Sequence, residues 1–193
     1  MEAFLVSTGL VALAEIGDKT QLLAFLLAAR FRKPLPIILG IFIATVVNHG
    51  FAGALGAWIT SQLSPSTLRW LLGLGFVAMG LWTLVPDKID EEKEGGKGLK
   101  LGVLGTTIVA FFLAEMGDKT QIATVALAAR FSDFYAVVAG TTLGMMIANV
   151  PAVLVGSRAA SRIPVRLVHA VAALIFIALG LLTLFGAGSA LGF

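Results

Sequence analysis

The chain contains no cysteine and few charged residues. Lysine, arginine, aspartate and glutamate make up 13% of its 193 residues, against roughly 25% in soluble domains. Without cysteine, neither a disulfide framework nor a thiolate metal site can form, and soft-metal chemistry is not expected. No basic run is interleaved with aromatic residues, so we expect no nucleic-acid partner.

Apolar sequence dominates instead. Hydrophobic residues are 58% of the chain and the mean hydropathy is +0.97, which predicts an integral membrane protein in a lipid bilayer. The N-terminal residues lack the basic segment of a signal peptide, so the first apolar segment is expected to stay in the mature protein. The net charge of +3 lies in predicted loops, and we interpret it as a signal of membrane topology.

Six apolar stretches of about 20 residues or more predict an all-α fold with six transmembrane helices. They lie near residues 3 to 29, 35 to 60, 66 to 86, 101 to 130, 134 to 157 and 165 to 186. One long polar run, residues 88 to 100, is interpreted as an acidic, flexible linker. It separates a first unit, residues 1 to 87, from a second unit, residues 101 to 193.

The two units are copies of each other at an offset of one hundred residues. Of the 19 positions from Leu13 to Phe31, 13 recur identically between Leu113 and Phe131. Because each unit holds an odd number of spans, the second copy should enter the membrane inverted, as in many secondary transporters. Lysine and arginine are concentrated on the linker side, so the positive-inside rule predicts a cytoplasmic linker and both termini outside.

Each copy carries ionisable residues inside an apolar span. The sequence EIGDKTQ, which begins at Glu15, returns as EMGDKTQ at Glu115. A charge at membrane depth costs about 2.5 to 3.5 kcal/mol on insertion scales, so such residues normally face a partner, water or a transported ion. Two copies at one spacing favour a functional site over structural ion pairs.

Oxygen ligands follow a helical spacing in each copy. On a continuous helix Glu15, Asp18 and Gln21 share one face, so the candidate metal ligands are those of both copies. They are Glu15, Asp18, Gln21, Glu115, Asp118 and Gln121. Such hard ligands suit Ca²⁺, Mg²⁺ or Mn²⁺ rather than copper or zinc. Gly17 lets the backbone approach an ion or permits a break, and the sequence leaves both open.

The charge count of the motif points to ion exchange. Each lysine follows a glutamate by four residues, which favours an ion pair on an unbroken helix, although pairing across the two copies is equally open. Four carboxylates and two ammoniums leave a charge near −2, which matches one divalent cation. When that cation leaves a low-dielectric site, protons are the natural replacement. The candidates for proton coupling or charge compensation are Glu15, Asp18, Lys19, Glu115, Asp118 and Lys119.

Further polar residues lie near the motif or in the second span of each unit. Those that could support the ligands by hydrogen bonds are Thr20, Thr120, Asn48 and Asn149. For His49 we favour a packed, hydrogen-bonded residue over a proton relay, because its counterpart in the second unit is Asn149. His169 is expected near a membrane interface.

The doubled E-x-G-D-K-T motif, in the first and fourth of six spans around an acidic linker, resembles the Gdt-type family of cation/proton antiporters over essentially the whole chain. The resemblance implies exchange of Mn²⁺ or Ca²⁺ for protons, without a prosthetic group, at the acidic motif residues. Golgi and chloroplast members load their compartments, whereas bacterial members export manganese. Because the chain lacks the N-terminal targeting extension of organellar members, it resembles a bacterial inner-membrane member that exports Mn²⁺.

Two other functions stay open at this point. Asp18 and Asp118 could share a proton in an intramembrane aspartyl protease, although the accompanying glutamate and lysine argue against a simple dyad. A passive cation channel could use the doubled motif as its filter. Inverted halves with a site at the membrane midplane favour alternating access, so we expect an exchanger before a channel and a channel before a protease.

Overall fold

The computed structural model describes residues 1–85, 101–131, 133–155 and 165–185, and within them the chain forms eight α-helices and no strand. The helices are α1 (Glu2–Glu15), α2 (Lys19–Phe31), α3 (Pro34–Gln62), α4 (Pro65–Thr83), α5 (Gly102–Glu115), α6 (Lys119–Phe131), α7 (Phe134–Val155) and α8 (Val165–Leu184). The predicted all-α fold is thus confirmed for these residues. The linker predicted at residues 88 to 100 lies outside them.

The first and fourth predicted spans are each interrupted inside the repeated motif. Three residues separate α1 from α2, and three separate α5 from α6. In these breaks Gly17 has φ +84° and Gly117 has φ +75°. Both values lie in the left-handed region, which glycine enters freely and which a β-carbon makes costly for other residues. The repeated glycine is therefore what allows the chain to leave the helix at this point.

The break corrects one expectation from the sequence. A single helical face through Glu15, Asp18 and Gln21 is wrong, because Glu15 ends α1 whereas Asp18 precedes α2. The backbone of Asp18 is extended, with φ −81° and ψ 169°. Since Glu15 ends one helix and Asp18 lies in the break before the next, the separation of their carboxylates is set by the geometry of the break and not by the helical repeat.

The helices pack in a nearly repeated pattern. α1 packs against α7 and α5 against α3, while α6 packs against α3 and α2 against α7. α4 and α8 pack along each other, where Gly73, Gly80 and Gly180 leave no room for a β-carbon. Small residues allow two helix backbones to approach closely without a hydrophobic driving force between them. α4 and α8 therefore form one helix pair.

Two buried apolar clusters reveal where that pair lies. The first cluster is built from α1, α4, α6, α7 and α8 and includes Leu10, Phe76 and Phe176. The second is built from α2, α3, α5 and α7 and includes Leu23 and Phe111. Among the described residues, neither α4 nor α8 contributes to the second cluster. The pair thus covers α1 and α6 rather than α2 and α5.

Within the described ranges, two helices are long and apolar enough to cross a membrane, judged by length and composition. They are Pro34–Gln62 of α3 and Phe134–Leu154 of α7. The first and fourth predicted spans are instead pairs of shorter helices, of 14 and 13 residues in both units. The arrangement of six spans in two inverted units remains a prediction.

Candidate cation site

Three carboxylates from the two motif copies meet inside the helix bundle. Oxygen atoms of Glu15, Asp18 and Asp118 lie within 4.8 Å of one another. All three residues are buried, with exposed fractions of 0%, 2% and 4%. A Ca²⁺ ion lies about 2.3 to 2.6 Å from each oxygen ligand, so two of its ligands can be at most about 5 Å apart. These three carboxylates can therefore share one divalent cation.

Some oxygen atoms at this position accept no hydrogen bond from the described residues. They are Glu15 Oε1, Asp118 Oδ2 and the hydroxyl oxygen of Thr120, and all are buried. A buried acceptor without a donor is costly unless a cation, a proton or water satisfies it. The arrangement thus has the chemistry of a site that needs a positively charged occupant.

The two motif lysines pair with aspartates of the opposite copy. Lys19 Nζ lies 3.3 Å from Asp118 Oδ1, and Lys119 Nζ lies 3.9 Å from Asp18 Oδ1. The sequence left the pairing partner open, and the structure gives the arrangement across the two copies. Each aspartate is therefore balanced by a charge from the other half of the chain, so the two breaks are held together electrostatically.

The two lysines differ in their surroundings. The side chain of Lys119 is 4% exposed and that of Lys19 is 25% exposed. Lys119 Nζ also donates a hydrogen bond to the carbonyl oxygen of Val85, 3.2 Å away. Val85 follows the end of α4. The second lysine therefore connects the carboxylates to the helix that leads into the predicted linker.

The glutamines of the motif fasten the breaks. Gln21 Oε1 accepts a hydrogen bond from the Gly17 backbone N–H at 2.9 Å, and Gln121 Oε1 accepts one from Gly117 at 2.6 Å. Gln21 Nε2 also donates to the carbonyl of Ala148 in α7, 2.9 Å away. With their oxygens directed at their own backbone, both side chains stabilise the glycine turn. A ligand role for these glutamines stays a prediction.

The threonines of the motif also differ between copies. The Thr20 hydroxyl donates to a carboxylate oxygen of Glu15, across the break of its own copy. Thr120 is buried, and its hydroxyl lies close enough to the Glu15 carboxylate to interact with it, although without the geometry of a full hydrogen bond. The hydrogen bond of Thr20 to Glu15 agrees with the expected role of Thr20 in supporting a ligand. For Thr120 that role stays a prediction.

Glu115 is not one of the three clustered carboxylates. Its Oε1 lies 2.8 Å from His49 Nε2, and its Oε2 accepts a longer hydrogen bond of 3.4 Å from Asn48 Nδ2. The two atoms of the histidine contact are at hydrogen-bonding distance, although their alignment departs from that of an ideal hydrogen bond. Glu115 and His49 are fully buried, and Asn48 nearly so. The structure thus brings together three of the four predicted carboxylates and sets the fourth against α3.

His169 is a contact that the sequence did not reveal. Its Nε2 lies 2.7 Å from the carbonyl oxygen of Ile16, in the first break, while its place near a membrane interface stays a prediction. A carbonyl at a helix end has no partner within the helix, so an outside donor satisfies it. The 153 residues between the two positions carry no pattern that links them. The one available signal was that both histidines of the chain, His49 and His169, fall in predicted spans.

Comparison with known proteins connects this geometry to a family. The family model described as "Divalent cation/proton antiporter GDT1" matches residues 3–91 and 103–190. A Vibrio cholerae serotype O1 protein named "Putative manganese exporter" is 48% identical over 186 residues, which cover 96% of this chain and 92% of that protein.

Two further relatives are more distant. A GDT1-like protein of Synechocystis sp. is 31% identical over 195 residues, which cover 91% of this chain and 93% of the relative. The Saccharomyces cerevisiae protein named "Divalent cation/proton antiporter GDT1" is 25% identical over 240 residues, covering 97% of this chain and 85% of that protein. No solved structure matches the chain.

Proposed function

Because this chain belongs to the GDT1 family of divalent cation/proton antiporters, we propose that it exports Mn²⁺ from the cytoplasm in exchange for protons. The preference for Mn²⁺ rests on the relative that is 48% identical and named for manganese export. Ca²⁺ is the next candidate substrate, since both ions take hard oxygen ligands. The family is one of transporters and not of enzymes, so a protease that uses Asp18 and Asp118 finds no support.

The observation that carries the proposal is the group of three buried carboxylates. Glu15 and Asp18 come from the first motif and Asp118 from the second, and their oxygens lie within 4.8 Å of one another. A cation bound there touches both halves of the chain at once. Release to either side then requires the halves to shift relative to each other, which is the requirement of an alternating-access exchanger.

Charge balance supports coupling to protons. The four motif carboxylates and two motif lysines leave a charge of −2, which one divalent cation neutralises. Once the cation has left, an unbalanced charge in a buried site is unfavourable, and protonation of carboxylates restores neutrality. Glu15, Asp18 and Asp118 are the proposed sites of that protonation, while Lys19 and Lys119 compensate the carboxylates when the cation is absent.

The proposed membrane arrangement has six spans in two inverted units of three. α1 with α2 and α5 with α6 form the interrupted first and fourth spans, and α3, α4, α7 and α8 form the others. Matched breaks, matched lengths of the helices on either side of each break, and the nearly repeated packing support this arrangement. The loop charges favour a cytoplasmic linker with both termini outside. The proposed location is a bacterial inner membrane, which agrees with the bacterial relative that is 48% identical.

Movement of the α4 and α8 pair is the proposed access step. α4 packs against α6, and α8 packs against α1. In the repeat, α1 corresponds to α5 and α6 to α2. If the two units exchanged conformations, the α4 and α8 pair would therefore pack against α2 and α5 instead. α5 begins directly after the predicted linker, so the second apolar cluster lies toward the linker side. Since neither α4 nor α8 has a described residue in that cluster, we infer that the site is open toward the linker side in this arrangement.

The test is cation flux into proteoliposomes under an imposed pH gradient. Wild type, Glu15→Gln and Asp118→Asn are compared for Mn²⁺ and Ca²⁺, with Glu2→Gln as a matched control, since Glu2 is an exposed acid at the start of α1. We expect proton-coupled Mn²⁺ flux in wild type and control and none in the two site variants. Flux that ignores the gradient would indicate a channel, and absence of flux in wild type would contradict the proposal.

A further inference from the structure

The helices that face the two motif glutamates do not share their polar residues. α3 carries Asn48 and His49, whereas the same positions of α7 are Ala148 and Asn149. The motif itself is repeated almost without change, so its immediate neighbours are where the two halves diverge. Because that divergence is written in the sequence, it persists in every conformation that the protein adopts.

The two glutamates have correspondingly different contacts. Glu115 has both carboxylate oxygens against α3, at 2.8 Å from His49 Nε2 and 3.4 Å from Asn48 Nδ2. Asn48 Nδ2 also donates to the carbonyl of Phe112, 3.1 Å away, so its position is fixed by the helix that bears Glu115. The side chains of Glu115, His49 and Asn48 are excluded from solvent, where a contact between polar groups is electrostatically stronger than in water.

Glu15 has no equivalent partners on α7. The side-chain amide of Asn149 donates within its own helix to the carbonyl of Met145, 3.0 Å away. Ala148 contributes only its backbone carbonyl, which accepts a hydrogen bond from the side chain of Gln21. Glu15 interacts instead with the hydroxyls of the two motif threonines, Thr20 and Thr120, and its carboxylate is one of the three that cluster.

We propose that the two motif glutamates have different roles and that His49 sets this difference. Glu15 is a ligand of the transported cation, whereas His49 and Asn48 hold Glu115 on α3 and out of the ion's coordination sphere. His49 is thus a positioning residue for Glu115, and it keeps the site at three carboxylates so that the ion is bound and also released. This inference rests on the proposed function.

The contacting atom of His49 dictates which substitutions separate the roles. Glutamine carries its amide nitrogen at about the distance of imidazole Nε2 from the backbone, whereas asparagine reaches only as far as Nδ1. His49→Gln should therefore keep a donor on Glu115, and His49→Asn, which copies the residue of the second half, should not. Since glutamine has no proton to titrate near neutral pH, its success would separate positioning from a proton relay.

The experiment measures Mn²⁺ binding by calorimetric titration of the purified full-length protein and Mn²⁺/H⁺ exchange in proteoliposomes. In His49→Asn the released Glu115 joins the ion as a fourth carboxylate, so we expect the Mn²⁺ dissociation constant and KM to fall by about tenfold, the smaller of the effects that residues behind metal ligands have in either direction. We expect kcat to fall as well, because the more tightly bound ion is released more slowly. His49→Gln should keep both near the wild-type values. In a Glu115→Gln background, His49→Asn should have no further effect on Mn²⁺ affinity.

Several results would overturn the inference. His49→Asn with wild-type KM and kcat, or His49→Gln as impaired as His49→Asn, would show that the Nε2 contact positions nothing. If His49→Asn does not purify as one species, Glu115→Gln decides alone, because loss of Mn²⁺ binding as severe as in Glu15→Gln would make Glu115 a ligand. Wild-type protein without proton-coupled exchange would instead overturn the proposed function, and the inference with it.

Discussion

The two copies of the motif differ at one residue in seven, yet they have different surroundings. In the first copy His169 contacts the carbonyl of Ile16, and Gln21 is buried. In the second copy Met116 is 53% exposed and Gly117 is exposed. Nearly identical local sequences thus receive different packing and different partners from helices that are not exact repeats. The doubled motif supplies the chemistry, and its neighbours assign the roles.

The largest difference between the two copies is expected when one glutamate is neutralised at a time. Glu15→Gln should weaken Mn²⁺ binding by more than about 100-fold, since a change behind a metal ligand alone costs about 10-fold to 100-fold. Glu115→Gln should weaken it by about tenfold at most, because Glu115 contributes charge without coordination. Calorimetric titration of both variants measures the difference, and equal losses would contradict the assignment of different roles.

The lysines give a second contrast, because one is buried and the other half-buried. Lys119→Met should lower the free energy of unfolding by about 2 kcal/mol, since a hydrogen bond to a charged group contributes about 1.5 to 3 kcal/mol. Lys19→Met should cost less than about 1 kcal/mol, as partly exposed ion pairs do. Thermal unfolding of the purified proteins in detergent measures both. A larger loss for Lys19→Met would mean that the burial of the two lysines does not set their contribution.

The glycines test whether both breaks are needed. Gly17→Ala and Gly117→Ala should each destabilise the protein by about 1 to 2 kcal/mol, because the left-handed backbone is costly for a residue with a β-carbon. Gly9→Ala is the matched control, since Gly9 lies in α1 with open space beside it and alanine favours a helix. Unfolding temperatures that fall equally in all three variants would contradict the role of backbone conformation.

The smallest expected effect concerns the cap on the first break. His169→Ala should cost about 1 kcal/mol of stability, the usual net contribution of one hydrogen bond. Arg69→Ala changes the equivalent position of the first half, where the side chain is exposed, and should be close to neutral. Thermal unfolding of the two variants side by side provides the measurement. A larger loss of stability in Arg69→Ala than in His169→Ala would contradict the stabilising role of the His169 contact.

The helical fold and most of the clustered carboxylates could be predicted from local sequence. Composition and the doubled motif predicted the all-α fold, the family resemblance and three clustered residues, Glu15, Asp18 and Asp118. These features depend on residue type and on short spacings, which a sequence displays directly. The repeated glycine marked the position of each break, although helix propensity alone does not decide between a tilted helix and a broken one.

The contacts between distant segments could not be predicted in the same way. His169 meets Ile16 across 153 residues, and Asn48 meets Glu115 across 67. Which donor reaches which carboxylate depends on how the helices cross, and the repeat of the sequence suggested equivalence where the packing gives two different sets of partners. The different partners of the two glutamates come from Asn48 and His49 of α3, which are not repeated in the second half of the sequence.

Anomalous diffraction from crystals of the wild-type protein grown with Mn²⁺ would locate the ion and show which glutamate binds it. We expect a peak at about 2.0 to 2.6 Å, the range of hard cations, from carboxylate oxygens of Glu15, Asp18 and Asp118, with Glu115 still on His49. A peak coordinated by Glu115 in place of Glu15, or one away from both breaks, would contradict this expectation.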